Sequence, residues 1–184
     1  HSWTWANEVG GNAYMGEDKG TSIAVDSSGD LFVTGRFSGT VSFGSTSLSS
    51  YGDQDIFVAK LQPDGTWLWA VKAGGSSNDR AHDIDTDTDG NAFVTGFIIG
   101  TATFGAHSDY GPSGTWTSGA FVAKIDSNGT WQWVLADHSS GSSQGNGIAV
   151  DVDGDLFVVG YFYLSVVLDS HGPILCIHIL LTLV

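Results

Sequence analysis

A pair of tryptophans separated by one residue occurs three times in this sequence, at a constant interval. Each pair begins 64 residues after the one before: Trp3 and Trp5, Trp67 and Trp69, and Trp131 and Trp133. A fixed period is the sequence signature of repeat proteins, in which each unit buries its apolar face only against its neighbours, although these units are longer than the roughly 40–50 residues of common propeller-blade repeats. The 184 residues therefore form a single repeat domain, 1–184, with units of about 3–66, 67–130 and 131–184.

Each unit contains four segments that have the composition of β-strands. In the first unit they are Trp3–Trp5, Thr21–Val25, Leu31–Phe37 and Ile56–Leu61. Such segments are rich in the β-branched and aromatic residues that strands favour, and the Asp and Gly residues between them suit tight turns. No stretch has a convincing helical period. We expect the serine- and glycine-rich segments 38–55 and 99–118 to be loops.

This pattern predicts an all-β fold of the β-propeller type, with about three four-stranded antiparallel blades per chain. Neighbouring blades would cover both faces of each sheet, and the paired tryptophans would pack between adjacent blades. The last 20 residues or so diverge from the repeat. We interpret Ile174–Leu181 as the final strand after a shortened loop; an aberrant tail is the alternative.

The amino-acid sequence of the first unit resembles that of a known repeat family. Ile23–Gly44 (IAVDSSGDLFVTGRFSGTVSFG) and Asp55–Ala70 (DIFVAKLQPDGTWLWA) carry the pattern of the SBBP-type β-propeller repeat family of bacteria and archaea. The second unit matches this pattern throughout and the third unit in part, so that the resemblance covers roughly residues 1–163. It implies a propeller on secreted or cell-surface proteins, without an assigned catalytic activity.

The charge balance narrows the choice of partners. Twenty acidic residues face six lysines and arginines, which gives a formal net charge of −14. Such a surface repels nucleic acids and anionic membranes and attracts cations. The apolar run Pro173–Val184 is too short to span a membrane. Cys176 is the single cysteine, so that no intrachain disulfide can form. We expect an extracellular or cell-surface location.

Two acidic turns resemble the first half of a calcium-binding loop. The first alternates Asp85, Asp87 and Asp89 before a glycine, and the second alternates Asp151, Asp153 and Asp155. Alternating carboxylates followed by glycine are typical of EF-hand loops, although the twelfth position of the first turn is Gly96 and not Glu. The alternative is a hairpin turn that uses Asp and Gly for backbone reasons. Ca²⁺ is therefore the one candidate cofactor.

Aromatic residues offer a second kind of site. The six paired tryptophans suit a sugar-stacking platform, but their repetition at one position of the unit favours packing between blades. Trp116 lies outside the pairs, in a Gly/Ser-rich segment that also contains Tyr110. These two residues are the candidate ligand contacts.

No catalytic motif stands out. The histidines have no metal-ligand spacing, and the sequence has no G-x-S-x-G elbow. We therefore predict a non-catalytic extracellular structural or assembly protein, not an enzyme.

Three units are too few for a ring of four to eight blades. The Trp3–Trp5 strand is therefore expected to complete a blade of another copy, in a ring or filament; a fragment of a longer chain is the alternative. The second functional candidate is a carbohydrate- or surface-binding propeller, assisted by calcium.

Overall fold

A computed structural model describes residues 5–11, 18–112, 117–162 and 174–178. Within these ranges the protein contains strands and turns but no helix. The strands are β1 (Lys19–Val25), β2 (Leu31–Phe37), β3 (Thr40–Phe43), β4 (Thr46–Ser49), β5 (Asp55–Leu61), β6 (Trp67–Gly75), β7 (Arg80–Thr86), β8 (Ala92–Ile98), β9 (Thr101–Phe104), β10 (His107–Tyr110), β11 (Gly119–Ile125), β12 (Trp131–Ala136), β13 (Ser143–Val150), β14 (Leu156–Phe162) and β15 (Ile174–His178).

The first two blades are antiparallel sheets with the same strand order. Strands β1, β2, β5 and β6 form the first blade, and β7, β8, β11 and β12 form the second. All seven residues of β5 are buried, because the second blade packs on one face of this strand and the β3–β4 hairpin packs on the other. Burial on both faces explains why Ile56–Leu61 is a nearly continuous apolar run instead of an alternating one. The predicted all-β, antiparallel architecture is confirmed for these two blades.

The third sheet differs from the other two. Strands β13 and β14 pair antiparallel as expected, but β15 pairs with β14 in the parallel direction, with Leu156 opposite Ile174. In the first two repeats the chain leaves the second strand through Gly39 and Gly100, whose φ values are +67° and +69°. In the sequence, Leu164 stands at this position of the third repeat, and a leucine disfavours the positive φ of the two glycines. Leu164 itself lies outside the described residues.

The segments 38–55 and 99–118 are not plain loops, because each contains a hairpin. In β3, Val41 and Phe43 are buried and alternate with exposed residues, and β9 has the same pattern at Ala102 and Phe104. Strand β9 also pairs with the Ala73–Gly75 end of β6. The β9–β10 hairpin therefore reaches back from the second repeat to the outer strand of the first blade, and the first sheet gains β9 and β10 in this way.

The boundaries of the blades do not coincide with the boundaries of the sequence units, because the first strand of a sequence unit belongs to the preceding blade. The strand that opens the second unit, β6, is the outermost strand of the first blade. The segment 5–11 has the matching position ahead of β1: Gly11 forms an isolated bridge with Val41, just as Gly75 pairs with Ala102. This segment thus occupies the place of an outer strand whose own blade is not among the described residues.

Candidate functional site

The boundary between the first two blades shows what a covered blade face looks like. On this face of the second blade, Ile84 is 3% exposed and Trp131 is buried. The Trp131 ring meets Phe104 edge to face, with ring centroids 5.1 Å apart. These side chains belong to one continuous core cluster that also contains Phe32, Ile56 and Val58 of the first blade. The first blade therefore covers this face of the second blade and excludes solvent from it.

The equivalent face of the first blade has no such cover among the described residues. Ile23 occupies the position of Ile84 and is 57% exposed, whereas Ile148, its equivalent in the third sheet, is 8% exposed. Trp67, the equivalent of Trp131, is only partly buried. We call this surface of Ile23, Val33 and Trp67 the open face. It carries a small cleft of about 120 Å³, which Val9 and Phe57 also line.

The indole groups tie neighbouring blades together through backbone carbonyls. Trp69 donates its indole N–H to the carbonyl oxygen of Ser127 (3.1 Å) and meets the Phe32 ring edge to face at 5.7 Å. Trp5 makes the equivalent bond to Pro63 (2.7 Å), and each acceptor lies 58 residues after its donor. The segment 5–11 is thus docked in the same way as β6.

The tryptophans of the third pair, Trp131 and Trp133, also contact neighbouring strands. Trp131 donates its indole N–H to the carbonyl oxygen of Lys72 (3.3 Å), and Trp133 packs on Phe93 with ring centroids 6.0 Å apart. Trp3 lies outside the described residues. All the described members of the pairs pack against neighbouring strands or turns.

Polar contacts join the inner strands of adjacent blades. The Thr21 hydroxyl donates to the carbonyl of Ala81 (2.9 Å), and the Ser22 hydroxyl donates to Asp83 (2.6 Å). The other carboxylate oxygen of Asp83 accepts the amide of Ile148 (2.9 Å). Asp83 therefore links three successive inner strands, a role that the sequence did not suggest because its equivalents are Ser22 and Gly147.

In each acidic turn, one carboxylate accepts hydrogen bonds from the backbone of the turn. Asp87 accepts the amides of Asp89 (3.0 Å) and Asn91 (2.8 Å) and lies 3.5 Å from the ammonium of Lys124. Asp151 accepts the amides of Asp153 and Asp155 in the same manner. The carboxylate of Asp85 is directed to the third sheet, where it accepts the amide of Val150 (2.8 Å). Within the described ranges, no three acidic, histidine or cysteine side chains converge as a metal site.

The corresponding turn of the first blade contains a buried ion pair. Lys60 lies 2.9 Å from Asp26 and 3.2 Å from Asp30. Burial raises the pKa of Asp26, but hydrogen bonds from the Lys60 ammonium and from the amides of Asp30 and Ser28 outweigh it, so that the pKa lies below its usual value. The Asp26 carboxylate of this turn is thus already occupied by a lysine and by two backbone amides.

Tyr110 lies beside an open cleft at the end of the second hairpin. Its ring stacks on His138 at a centroid distance of 4.0 Å, and the His138 imidazole lies 2.7 Å from Asp109. Pro112 and Thr117 also line this cleft, whose volume is roughly 510 Å³. Trp116, the other candidate contact, lies outside the described residues. The sequence did not indicate His138, which follows Tyr110 by 28 positions and meets it only through the packing of β10 on β12.

Comparison with known proteins supports the propeller architecture. The chain is 27% identical, over 155 residues, to an uncharacterized WD repeat-containing protein of Acanthamoeba polyphaga mimivirus. The matched region covers 76% of the chain and 11% of that relative, so that the chain spans about a tenth of the relative's length. No protein-family model matches the chain; the resemblance to the SBBP-type family stays a prediction. The chain is a repeat protein of the β-propeller type.

The described residues contain no helix with the length and hydrophobicity needed to cross a membrane.

Proposed function

We propose that this protein is a non-catalytic assembly module whose open face binds a propeller blade of a second copy of the chain. The observation that carries the proposal is the exposure of Ile23. The same position is buried in the second and third sheets, where a preceding blade covers it. An exposed apolar face of this kind is a binding surface by its chemistry, and the repeat itself indicates that its occupant is another blade.

The two ends of the described structure complement each other. Among the described residues, the segment 5–11 takes the place of an outer strand without the other strands of its blade, and the third sheet has three strands without an outer one. The segment of one copy would therefore complete the third sheet of the next copy. Two chains paired in this way close a ring of six blades, within the range in which propellers close. Pairing that does not close produces a head-to-tail filament.

The extracellular or cell-surface location belongs to the same proposal. It rests on the acidic composition, the single cysteine and the resemblance to surface propeller repeats. Labelling of intact producing cells with a membrane-impermeant reagent tests it. Modification of the protein before lysis is the expected result, and labelling only after lysis would contradict the location.

Substitution on the open face tests the assembly role. Ile23→Lys places a charge at the centre of the contact, and we expect it to reduce the mass measured by sedimentation equilibrium to that of one chain. Leu68→Lys is the matched control, because Leu68 is an exposed apolar residue (46%) on the outer strand β6. A wild-type mass that Ile23→Lys does not change, or that both variants reduce equally, would contradict the proposal.

A second candidate function is carbohydrate or surface binding at the cleft beside Tyr110. The stacked Tyr110 and His138 rings present aromatic surface next to polar groups such as Thr117, and ring faces of this kind suit sugars. A glycan array with wild type and Tyr110→Ala tests it. Binding that the variant loses supports this function, and no binding by either protein argues against it.

A further inference from the structure

The inner strands β1, β7 and β13 each contain a β-bulge at the same position. The extra residues of the three bulges are Thr21, His82 and Asn146, and a bulge re-aims the side chain at that point of the strand. The Thr21 hydroxyl donates to the carbonyl of Ala81 (2.9 Å), and Nδ1 of His82 lies 2.8 Å from the carbonyl oxygen of Gly145. The bulge residue of one blade therefore contacts the residue just before the bulge in the next blade.

The two ends of this series of contacts are exposed. Asn146 is exposed, and its side chain forms no hydrogen bond within the described ranges. Gly20 has the same position before the bulge as Ala81 and Gly145. Those two residues are buried, whereas Gly20 is exposed beside the cleft of the open face. The repeat thus presents a bulge donor at the third sheet and the matching carbonyl at the first blade.

The strand next to the bulge has the same pattern of burial. Thr34 and Thr95 occupy one position of the repeat, and both are 0% exposed. Thr95 lies directly against the third sheet, since a Cβ atom added to Gly145 would lie 3.1 Å from Cβ of Thr95. In the third sheet this position is Val159, which is 37% exposed, and Tyr161 is 49% exposed on the same side of β14. The side of the sheet that a following blade would cover is therefore open and apolar.

We propose that the open face binds this side of the third sheet of a second copy, with Asn146 donating to the carbonyl of Gly20. We call the surface of Asn146, Val159 and Tyr161 the forward face. The inference rests on the proposed assembly function and names the surface that fills the open face. The contact repeats the two boundaries inside the chain, where a bulge residue donates to a carbonyl and apolar side chains surround the bond.

The polar positions favour a head-to-tail contact over a symmetric one. A forward face against an open face pairs the Asn146 amide with the Gly20 carbonyl. Two open faces in contact would instead bring together two Gly20 carbonyls without a bulge donor between them, because the side chain of Thr21 is directed to the second blade. Head-to-tail contacts close into rings or continue as filaments.

A mixture of two variants tests which surfaces meet. Ile23→Lys alters the open face and Val159→Lys alters the forward face; both residues are exposed in one chain, so that the fold should tolerate the changes. Each variant alone is expected to sediment as one chain. In an equimolar mixture, the intact forward face of the first variant can bind the intact open face of the second. We therefore expect the mass of two chains from the mixture.

Substitution of Asn146 tests the hydrogen bond itself. Asn146→Asp keeps the shape of the side chain but replaces the donor by a carboxylate, and we expect Kd for self-association to rise at least about tenfold. Asn146→His copies the residue of the second unit, retains a donor and should associate as the wild type does. Val152→Asp is the matched control for charge, because Val152 is 83% exposed in the turn after β13; it should leave Kd unchanged.

The outcomes separate this inference from the proposed function. A wild type that remains a monomer at every concentration would contradict both. Self-association that Ile23→Lys abolishes but Val159→Lys and Asn146→Asp leave unchanged would retain the proposed function and overturn the forward face as the partner. A mixture that stays at the mass of one chain would also overturn it. Tyr161→Lys, at another exposed position of the forward face, replaces Val159→Lys if that variant fails to fold.

Discussion

At the scale of single residues, Gly129 shows why the turn before each Trp-x-Trp strand requires a glycine. Its φ is +85°, a value that side chains disfavour, and a Cβ atom there would lie 2.8 Å from Cδ2 of Trp69. The indole of one blade therefore packs directly on the turn of the next. Gly65 has the same relation to Trp5 in the segment 5–11, so that both indole contacts require a turn residue without a side chain.

Gly129→Ala should therefore destabilise the protein by about 3 kcal/mol, from the left-handed backbone and the clash together. Gly100→Ala is the matched control, because Gly100 also has positive φ (+69°) in the same repeat but no atom within 4 Å of the added carbon. We expect it to cost about 1 kcal/mol. Urea unfolding measures both values, and equal costs would show that the Trp69 contact is not limiting.

Two carboxylates that are buried between the first and second blades, Asp55 and Asp79, make stability depend on pH. Burial, with the Asp55 charge beside it, raises the pKa of Asp79 from 3.8 to about 6, and burial also raises the pKa of Asp55. A raised carboxyl pKa means that the folded state holds its proton more tightly than the unfolded state. The contribution is therefore full below pH 4 and is lost as pH rises to about 6.

Wild type compared with Asp79→Ser isolates this contribution. We expect the free energy of unfolding of the wild type, relative to the variant, to fall by about 2 kcal/mol between pH 4 and pH 7. Urea unfolding at several pH values gives this difference and cancels the other carboxylates. A difference that stays constant with pH would contradict the raised pKa of Asp79.

At the scale of elements, one strand position has different surroundings in each blade. Trp131 at the start of β12 is buried between blades, whereas Trp67 at the start of β6 lies on the open face. Both meet a phenylalanine of the neighbouring hairpin at 5.1 Å. The difference in burial therefore reflects the blade that covers one and not the other.

Substitution of each tryptophan by alanine should measure how much the covering blade contributes to the free energy of unfolding. Trp131→Ala is expected to cost about 3–5 kcal/mol. Trp67→Ala should cost roughly half as much at concentrations where the chain is a monomer, since less apolar surface is lost from burial. Denaturant unfolding of both variants gives the comparison. Equal losses would show that the open face is as well packed as the covered one.

The sequence predicted the main strands because their apolar composition is local. It missed the hairpins in 38–55 and 99–118, where Ser, Thr and Gly dominate, although the alternation of Val41 with Phe43 and of Ala102 with Phe104 was a signal for them. It also predicted an antiparallel last strand where β15 is parallel. The Asp55–Asp79 pair had no sequence signal, because the two residues meet only when β5, β6 and the turn before β7 come together.

At the scale of the whole molecule, the sheets are offset from the sequence repeat by one strand. The segment 5–11 docks as an outer strand, the first blade exposes a face that is buried in its neighbours, and the third sheet has no outer strand among the described residues. These three features fit a chain whose blades are completed by another copy.

The most direct test is the mass and shape of the wild-type chain in solution, by light scattering followed by negative-stain imaging. The assembly account predicts a mass of at least twice the 19.3 kDa of one chain, with rings of two chains or head-to-tail filaments on the grids. A folded monomer of 19.3 kDa at every concentration would contradict it.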